Sequence, residues 1–475
     1  MVKLYKRIFK VGLRRMSLLI KNGTIVTASD IYKGDIYIEN GIIKEIGIQL
    51  NKEDTNIIDA KGKYVIPGGV DVHTHLNIDV GIAVATDDFY TGTIAAACGG
   101  TTCIVDHMGF GPPKCNLHHQ VGVYHGYADN DAVIDYSFHG VLQHVDEEIL
   151  HEMGELVDEG IPSFKVYTTY DYRLNDEEIL KVLLKLKSLG GITTVHPENH
   201  YAVNYFRDLF KREGKTSPMY HALSRPIEAE AEAINRIINL ASMANNSPLY
   251  IVHLSNELGL NYIKMAQRRG QKVYAETCPQ YLLLDEEKYS EENYEGLKYI
   301  MSPPLRRKYN QEFLWKGIRD GNIQVIATDH CPFNFKKEKQ MGKYDFTKCP
   351  NGVPGIEERI PLIFSEGVKK GRISLNKFVD VCSTTPAKIF GLYPKKGTIQ
   401  VGSDADIVLI DPNKEVTLTK DILHENVDYT AYEGFKLKGY PVLTMSRGKV
   451  IVKDNTFIGN KGYGSFIKRQ KSFNY

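Results

Sequence analysis

Residues 68–77 read "GGVDVHTHLN" and overlap the apolar run "KYVIPGGV" at 63–70. In a β-strand, side chains alternate between faces, so His73 and His75 point the same way. Two imidazoles aimed at one point form a metal-binding arrangement, since neutral imidazole is a good ligand for divalent transition metals. A polar strand end facing water would carry the same pair. The rest of the chain decides between the two readings.

Outward from this stretch, strand and helix signals alternate. Counting "YVIPGGVDVHTH" as the first, seven more strand candidates follow: "GGTTCIVDHM", "AVIDYSFHGVLQH", "IPSFKVYT", "ITTVHPEN", "PLYIVHLSN", "QKVYAETCPQ" and "IQVIATDHCPF". Between them "NDEEILKVLLKLKSL" reads as a helix, capped by Asn175 or Asp176 and stopped by Gly190 and Gly191. "SRPIEAEAEAINRIINLASMA" has Ile227, Ala231, Ile234, Ile238 and Ala241 at helical spacing. Repeated strand–helix units at this length predict an α/β fold, a (β/α)8 TIM barrel over residues 66–397. The flanks differ. "SLLIKNGTIV", "DIYIENGIIKEIG", "GSDADIVLID" and "SRGKVIVKDNTFIG" are β-rich, and the Asn-Gly pairs of the first two predict tight hairpin turns. Residues 17–65 plus 398–460 are therefore expected to build one small β-sandwich domain around the barrel. Residues 1–16 read as a basic extension and 461–475 as a basic, extended tail.

The chain has 475 residues, with 59 basic against 58 acidic side chains. That balance gives no electrostatic reason for binding nucleic acid or an anionic membrane. No apolar run reaches the length of a membrane span. Seven scattered cysteines form no metal-knuckle pattern, and reduced thiols in a cytoplasmic protein are expected.

In such a barrel the working residues sit at the C-terminal strand ends. The first strand ends in His73 and His75, the fourth carries Lys165, the fifth His196, the sixth His253 and the eighth Asp329. Lysine is an unusual member of a ligand set, because an ammonium has no lone pair. Burial among cations lowers its pKa and frees the neutral amine. That amine can add carbon dioxide, and the resulting carbamate has two oxygens able to bridge two metal ions.

With these residues in view, the chain resembles the dihydropyrimidinase/D-hydantoinase family of cyclic amidohydrolases from Ser17 to about residue 470. The motifs that carry the resemblance include "PGGVDVHTH", "GGTTCIVDHMGFGPP", "SFKVYTTY", "TVHPENH", "HALSRPIEAEA", "YIVHLSN", "ETCPQYLLLD", "MSPPLR", "ATDHCPF" and "CPNGVPGIEERIPL". The resemblance implies a binuclear centre, usually zinc. His73, His75 and Asp329 would hold one ion, His196 and His253 the other, and N6-carboxylated Lys165 would bridge them. It also implies a homotetramer, and hydrolysis of D-5-monosubstituted hydantoins such as phenylhydantoin to N-carbamoyl amino acids.

In the implied mechanism two cations make hydroxide available near neutral pH for attack on a ring amide carbonyl. Asp329 takes the proton and delivers it to the leaving nitrogen. Tyr170, five residues after Lys165, would stabilise the oxyanion, and backbone groups at Ser302 and Asn351 would bind the cyclic imide or ureide. Dihydropyrimidinase activity on dihydrouracil or dihydrothymine is the alternative. Allantoinase and dihydroorotase are more distant rivals, the latter because Asn77 stands where that enzyme usually carries a carboxylate-binding arginine. A non-catalytic relative would have lost ligand positions that are intact here. The 5-substituent is expected to face residues 77–88, 109–115 and 168–175, with Tyr167 and Leu174 as walls. His330, His107, Glu198 and His200 read as supporting polar contacts. Glu228, Glu230 and Glu232 read as a helix start and solvated face, and Cys278 and Cys331 as buried thiols.

Overall fold

The computed structural model describes residues 17–53 and 55–472. The basic extension expected at 1–16 lies outside them. Strands β1 (Ser17–Val26), β2 (Ile31–Glu39), β3 (Ile42–Gly47), β4 (Asn56–Asp59) and β5 (Tyr64–Pro67) open the chain. Asn40 and Gly41, with φ of 53° and 80°, turn β2 into β3 as an Asn-Gly pair should. The other pair, Asn22-Gly23, makes no turn. It is a bulge inside β1, where the register with β2 shifts between Ile20 and Gly23. The Asn22 N–H donates to Asp35 of β2 at 2.9 Å, which keeps the two strands paired across the irregularity.

The barrel follows: β6 (Gly69–Thr74), β7 (Thr101–His107), β8 (Asp135–Val141), β9 (Ser163–Tyr167), β10 (Ile192–His196), β11 (Leu249–Ile251), β12 (Val273–Thr277) and β13 (Val325–Ile326). They pair in parallel and in chain order. The two-residue β13 is too short to close the ring by itself. Closure comes just beyond it, where Asp329 N–H donates to His73 O and His75 N–H to His330 O, both at 2.9 Å. The Asp71 carboxylate holds the same seam, accepting from Thr328 N at 3.2 Å and Thr328 Oγ1 at 2.7 Å. Helices pack outside. Asp176–Leu189 starts with Asn175 accepting from Glu178 N, and ends at left-handed Gly190.

Strands β14 (Ile407–Thr417), β15 (Lys436–Ser446), β16 (Lys449–Lys453) and β17 (Thr456–Phe457) return to the first five. Together they form one nine-stranded, mainly antiparallel sheet in which β14 pairs with β5. The run "YVIPGGVDVHTH" is thus two strands in two sheets. The chain crosses at Gly68, where a Cβ would lie 2.0 Å from Thr102 Oγ1, so only glycine allows the approach. Among the described residues, no helix is long and apolar enough to cross a membrane.

Residues 464–472, part of the segment expected as a basic, extended tail, dock beneath the barrel. Gly464, Ile467 and Arg469 N–H groups donate to the carbonyls of Ala132, Tyr136 and Gly160, at the starts of barrel strands or just before them. The Arg469 guanidinium is buried and donates to Ser137 Oγ at 2.9 Å and Ser163 Oγ at 2.8 Å. Basic composition misleads here because these donors are used on barrel carbonyls and hydroxyls rather than in water.

Lys396 joins the two sheets. Only 1% exposed, its ammonium lies 2.6 Å from Asp135, 2.8 Å from Asp406 and 2.9 Å from Asp404. Lys396→Met would leave Asp404 and Asp406 without their cation and Asp135 with only Arg447, whose Nε lies 3.3 Å away. It should cost about 3–5 kcal/mol of stability, read as a lowered urea midpoint. A loss under about 1 kcal/mol would show that the carboxylates do not depend on the lysine.

Candidate metal centre and active site

The C-terminal ends of the barrel strands open into one cavity of about 470 Å³. His73, His75, Lys165, His196, His253 and Asp329 all line it, as do Tyr170, Ser302 and Asn351. His73 and His75 leave the end of β6 on one side. Asp329 Oδ1 lies 3.0 Å from His73 Nε2 and 3.2 Å from His75 Nε2. The potential ligand atoms of these three residues fall within 4.8 Å of one another. Lys165 Nζ is 3.3 Å from His73 Nε2, and His253 Nε2 is 2.8 Å from His196 Nδ1. All six side chains are largely or wholly out of solvent.

Burial dominates the electrostatics. It pushes the His75 imidazole down to about 4 and the Lys165 amine down to about 8. Burial opposes ionisation of Asp329, but His73 and His75 outweigh it and hold the carboxyl well below its usual range. Burial also raises the Tyr170 phenol, which therefore stays protonated and able to donate at neutral pH. Tyr170, His253 and Asp329 have left-handed backbones, φ 70°, 40° and 54°, a strained state for non-glycine residues that recurs at functional sites.

The donor set fits divalent metal. Packing neutral imidazoles, a carboxylate and an amine this closely is costly unless a cation organises them. His75 Nδ1 and His253 Nδ1 are buried without hydrogen-bond partners.

Glu276 and Glu230 escape a reading of the sequence alone as supporting residues, whereas Glu198 and His200 are expected as polar contacts. Glu276 ends β12, the seventh strand. Its carboxylate contacts His73 Nδ1, accepts from His253 N at 3.1 Å and from Tyr250 Oη at 2.7 Å. It orients His73 as an outer carboxylate orients a metal-binding histidine. The sequence carries a signal for it: among the last five strands, only the seventh ends without a candidate ligand. Glu198 bonds His196 Nε2 at 2.8 Å and pairs with buried Arg225. Glu230 is not on a solvated face. It is buried and accepts from Ser255 N at 3.0 Å and Arg306 Nη2 at 2.9 Å. His200 and Arg207 add a polar wall to the cavity.

His330 turns from the centre to bond Asp87 at 3.0 Å and to accept from Gly355 N at 3.1 Å. His107 is fully buried with its ring centroid 4.4 Å from that of His73. Burial raises the thiols of Cys278 and Cys331, leaving both protonated. Tyr167 lines the cavity and Leu174 does not. The Leu174 N–H bonds Tyr167 O at 3.0 Å and its side chain enters the core. Asn77 also faces away, its Oδ1 accepting from Phe89 N at 3.0 Å.

His221 is a pH-sensitive support. Its Nε2 bonds Met301 O at 2.7 Å, beside Ser302, and burial lowers its pKa from 6.5 to about 3. The folded state therefore binds fewer protons than the unfolded one between these values. Its stability contribution is complete above pH 6.5 and is lost as pH falls toward 3. His221→Gln should flatten the fall in urea midpoint below pH 6.5 relative to the unsubstituted protein. An unchanged slope would contradict this assignment.

The chain belongs to the amidohydrolase family, whose pattern matches residues 64–451. Members of this family are metal-dependent hydrolases, in keeping with the His73–His75–Asp329 cluster. The chain is 55% identical over 456 residues to D-phenylhydantoinase of Escherichia coli O1:K1 / APEC, covering 96% of this chain and 98% of that protein. It superposes on the crystal structure of dihydropyrimidinase from Brevibacillus agri NCHU1002 with a TM-score of 0.95 and 45% identity, over 97% of this chain and 100% of the other. L-Hydantoinase (dihydropyrimidinase) from Arthrobacter aurescens is similar at a TM-score of 0.87 and 30% identity, over 95% of this chain and 99% of that one.

Proposed function

We propose that the protein hydrolyses the ring amide of 5-monosubstituted hydantoins, with D preference, to N-carbamoyl amino acids. The observation that carries this is one cavity shared by His73, His75, Lys165, His196, His253, Asp329 and Tyr170, in a chain 55% identical to a D-phenylhydantoinase. His73, His75 and Asp329 would hold one divalent ion and His196 and His253 a second, with Lys165 between them as its carbamate; zinc is the metal we expect. Bound there, such ions make hydroxide available near neutral pH and polarise a carbonyl.

The chain's own residues do the rest. Ser302 and Asn351 present backbone groups to the ring imide and fix its orientation. Tyr170, protonated, donates its phenolic hydrogen to the carbonyl oxygen as negative charge develops. Asp329, ionised, accepts the proton of the attacking water. It returns that proton to the ring nitrogen as the C–N bond breaks, so the leaving group departs as a neutral amide nitrogen. Glu276 and Glu198 hold His73 and His196 in orientation. We further propose a homotetramer, and a cytoplasmic location on the strength of seven unpaired cysteines.

The dihydropyrimidinase neighbour favours a second reading, hydrolysis of dihydrouracil or dihydrothymine by the same steps. The test is kcat/KM, on zinc-loaded protein with bicarbonate, for dihydrouracil and each enantiomer of 5-phenylhydantoin. Preference for the D-hydantoin supports the first reading, and preference for dihydrouracil the second. Turnover of none of the three removes both.

A further inference from the structure

The lysine-rich run "FKKEKQMGKYD" at 335–345 plays no part in the chemistry above. Lys336 and Lys337 are exposed, as lysines usually are, but Lys339 is fully buried. Among the described residues no carboxylate pairs with it. Instead its Nζ donates to three backbone carbonyls: Ile300 O at 2.7 Å, Pro350 O at 2.9 Å and Gly352 O at 2.6 Å. An ammonium has three N–H donors, and each has one acceptor here. The three carbonyls come from two separate loops that meet at the cavity. One leads directly into Ser302, and the other flanks Asn351 on both sides. Gly352 N–H donates to Ile300 O at 3.0 Å, the direct backbone link between the loops found among these contacts. Gly352 has φ 145° and a Cβ there would lie 2.3 Å from Cys331 O, so this loop has little freedom to adjust.

We propose that Lys339 is a positioning residue of the substrate site, its ammonium setting the spacing between the loops that carry Ser302 and Asn351. The inference rests on the reading of those two residues as the imide-binding pair. A side chain that only positions binding groups changes substrate affinity more than the chemical step. Arginine cannot replace it, since a planar guanidinium does not reproduce three convergent donors.

The test uses metal-loaded Lys339→Ala and Lys339→Gln, with the hydantoin that the unsubstituted protein turns over. Lys339→Ala should raise KM roughly tenfold or more, with kcat and metal content little changed. Ammonium or methylammonium chloride should lower that KM again, whereas tetramethylammonium, which has no N–H to donate, should not. Lys339→Gln, which keeps two amide donors, should fall between. Unchanged KM in both folded variants, or a fall in kcat alone, would overturn the inference while leaving the proposed function intact. Failure of both variants to fold would assign Lys339 to stability alone and also overturn it. An unsubstituted protein that opens no cyclic imide would overturn the functional reading and this inference with it.

Discussion

Lys165→Ala is expected to lose metal and activity together. Outer partners of metal ligands already account for about 10–100-fold in affinity, so removing a residue from the inner set should exceed about 100-fold. Lys165 is 1% exposed on a strand whose other residues are equally buried, and its Nζ lies 3.3 Å from His73 Nε2. A lysine there points into the cavity rather than to the outer surface. Its amine, lowered to about 8 by burial, is substantially neutral in mildly alkaline buffer and ready to add carbon dioxide. Metal uptake by the unsubstituted protein should therefore rise with bicarbonate, and with pH as it approaches 8. Metal analysis after reconstitution, with and without bicarbonate, reads both effects. Full metal content in Lys165→Ala would remove the lysine from the centre.

Asp329→Asn should lower kcat by about 10²–10⁴, the range for loss of a positioned proton carrier. Asparagine is the informative replacement, because Asp329 has φ 54° and asparagine tolerates that backbone better than alanine. It keeps the shape and removes the charge. Since the carboxyl is held well below its ordinary range, the unsubstituted protein should keep it ionised throughout neutral pH. Single-turnover rates, with metal content measured in parallel, separate lost proton transfer from lost ligation. A decrease below about tenfold would reassign the proton to another group.

Much of this architecture could be read in advance for a simple reason. Parallel strands buried on both faces are apolar runs, and a histidine, lysine or aspartate in such a run stands out. His73, His75, Lys165, His196, His253 and Asp329 are all of that kind. Glu276 has the same setting but looks like an ordinary charge next to a helix, and only its contact with His73 reveals its role. Glu230 sits at a spacing that suits a solvated helix face, yet Arg306, from 76 residues later, meets it inside. The docking of Arg469 and the crossing at Gly68 likewise depend on partners distant in sequence. Local pattern fixes the type of element, whereas such pairings exist only once the elements are assembled.

The sheet that joins β5 to β14 has a consequence for biosynthesis. Residues 64–67 pair with β1 on one edge but find their second partner only at 407–410, and the floor beneath the barrel is completed by Arg469. A ribosome must therefore extrude every barrel strand before either closure can form. Through that interval the nascent chain carries a strand with one open edge and an open apolar ring, both prone to stick to neighbouring chains. Yield of soluble protein should depend on elongation rate and on chaperone supply more than on the stability of the finished fold.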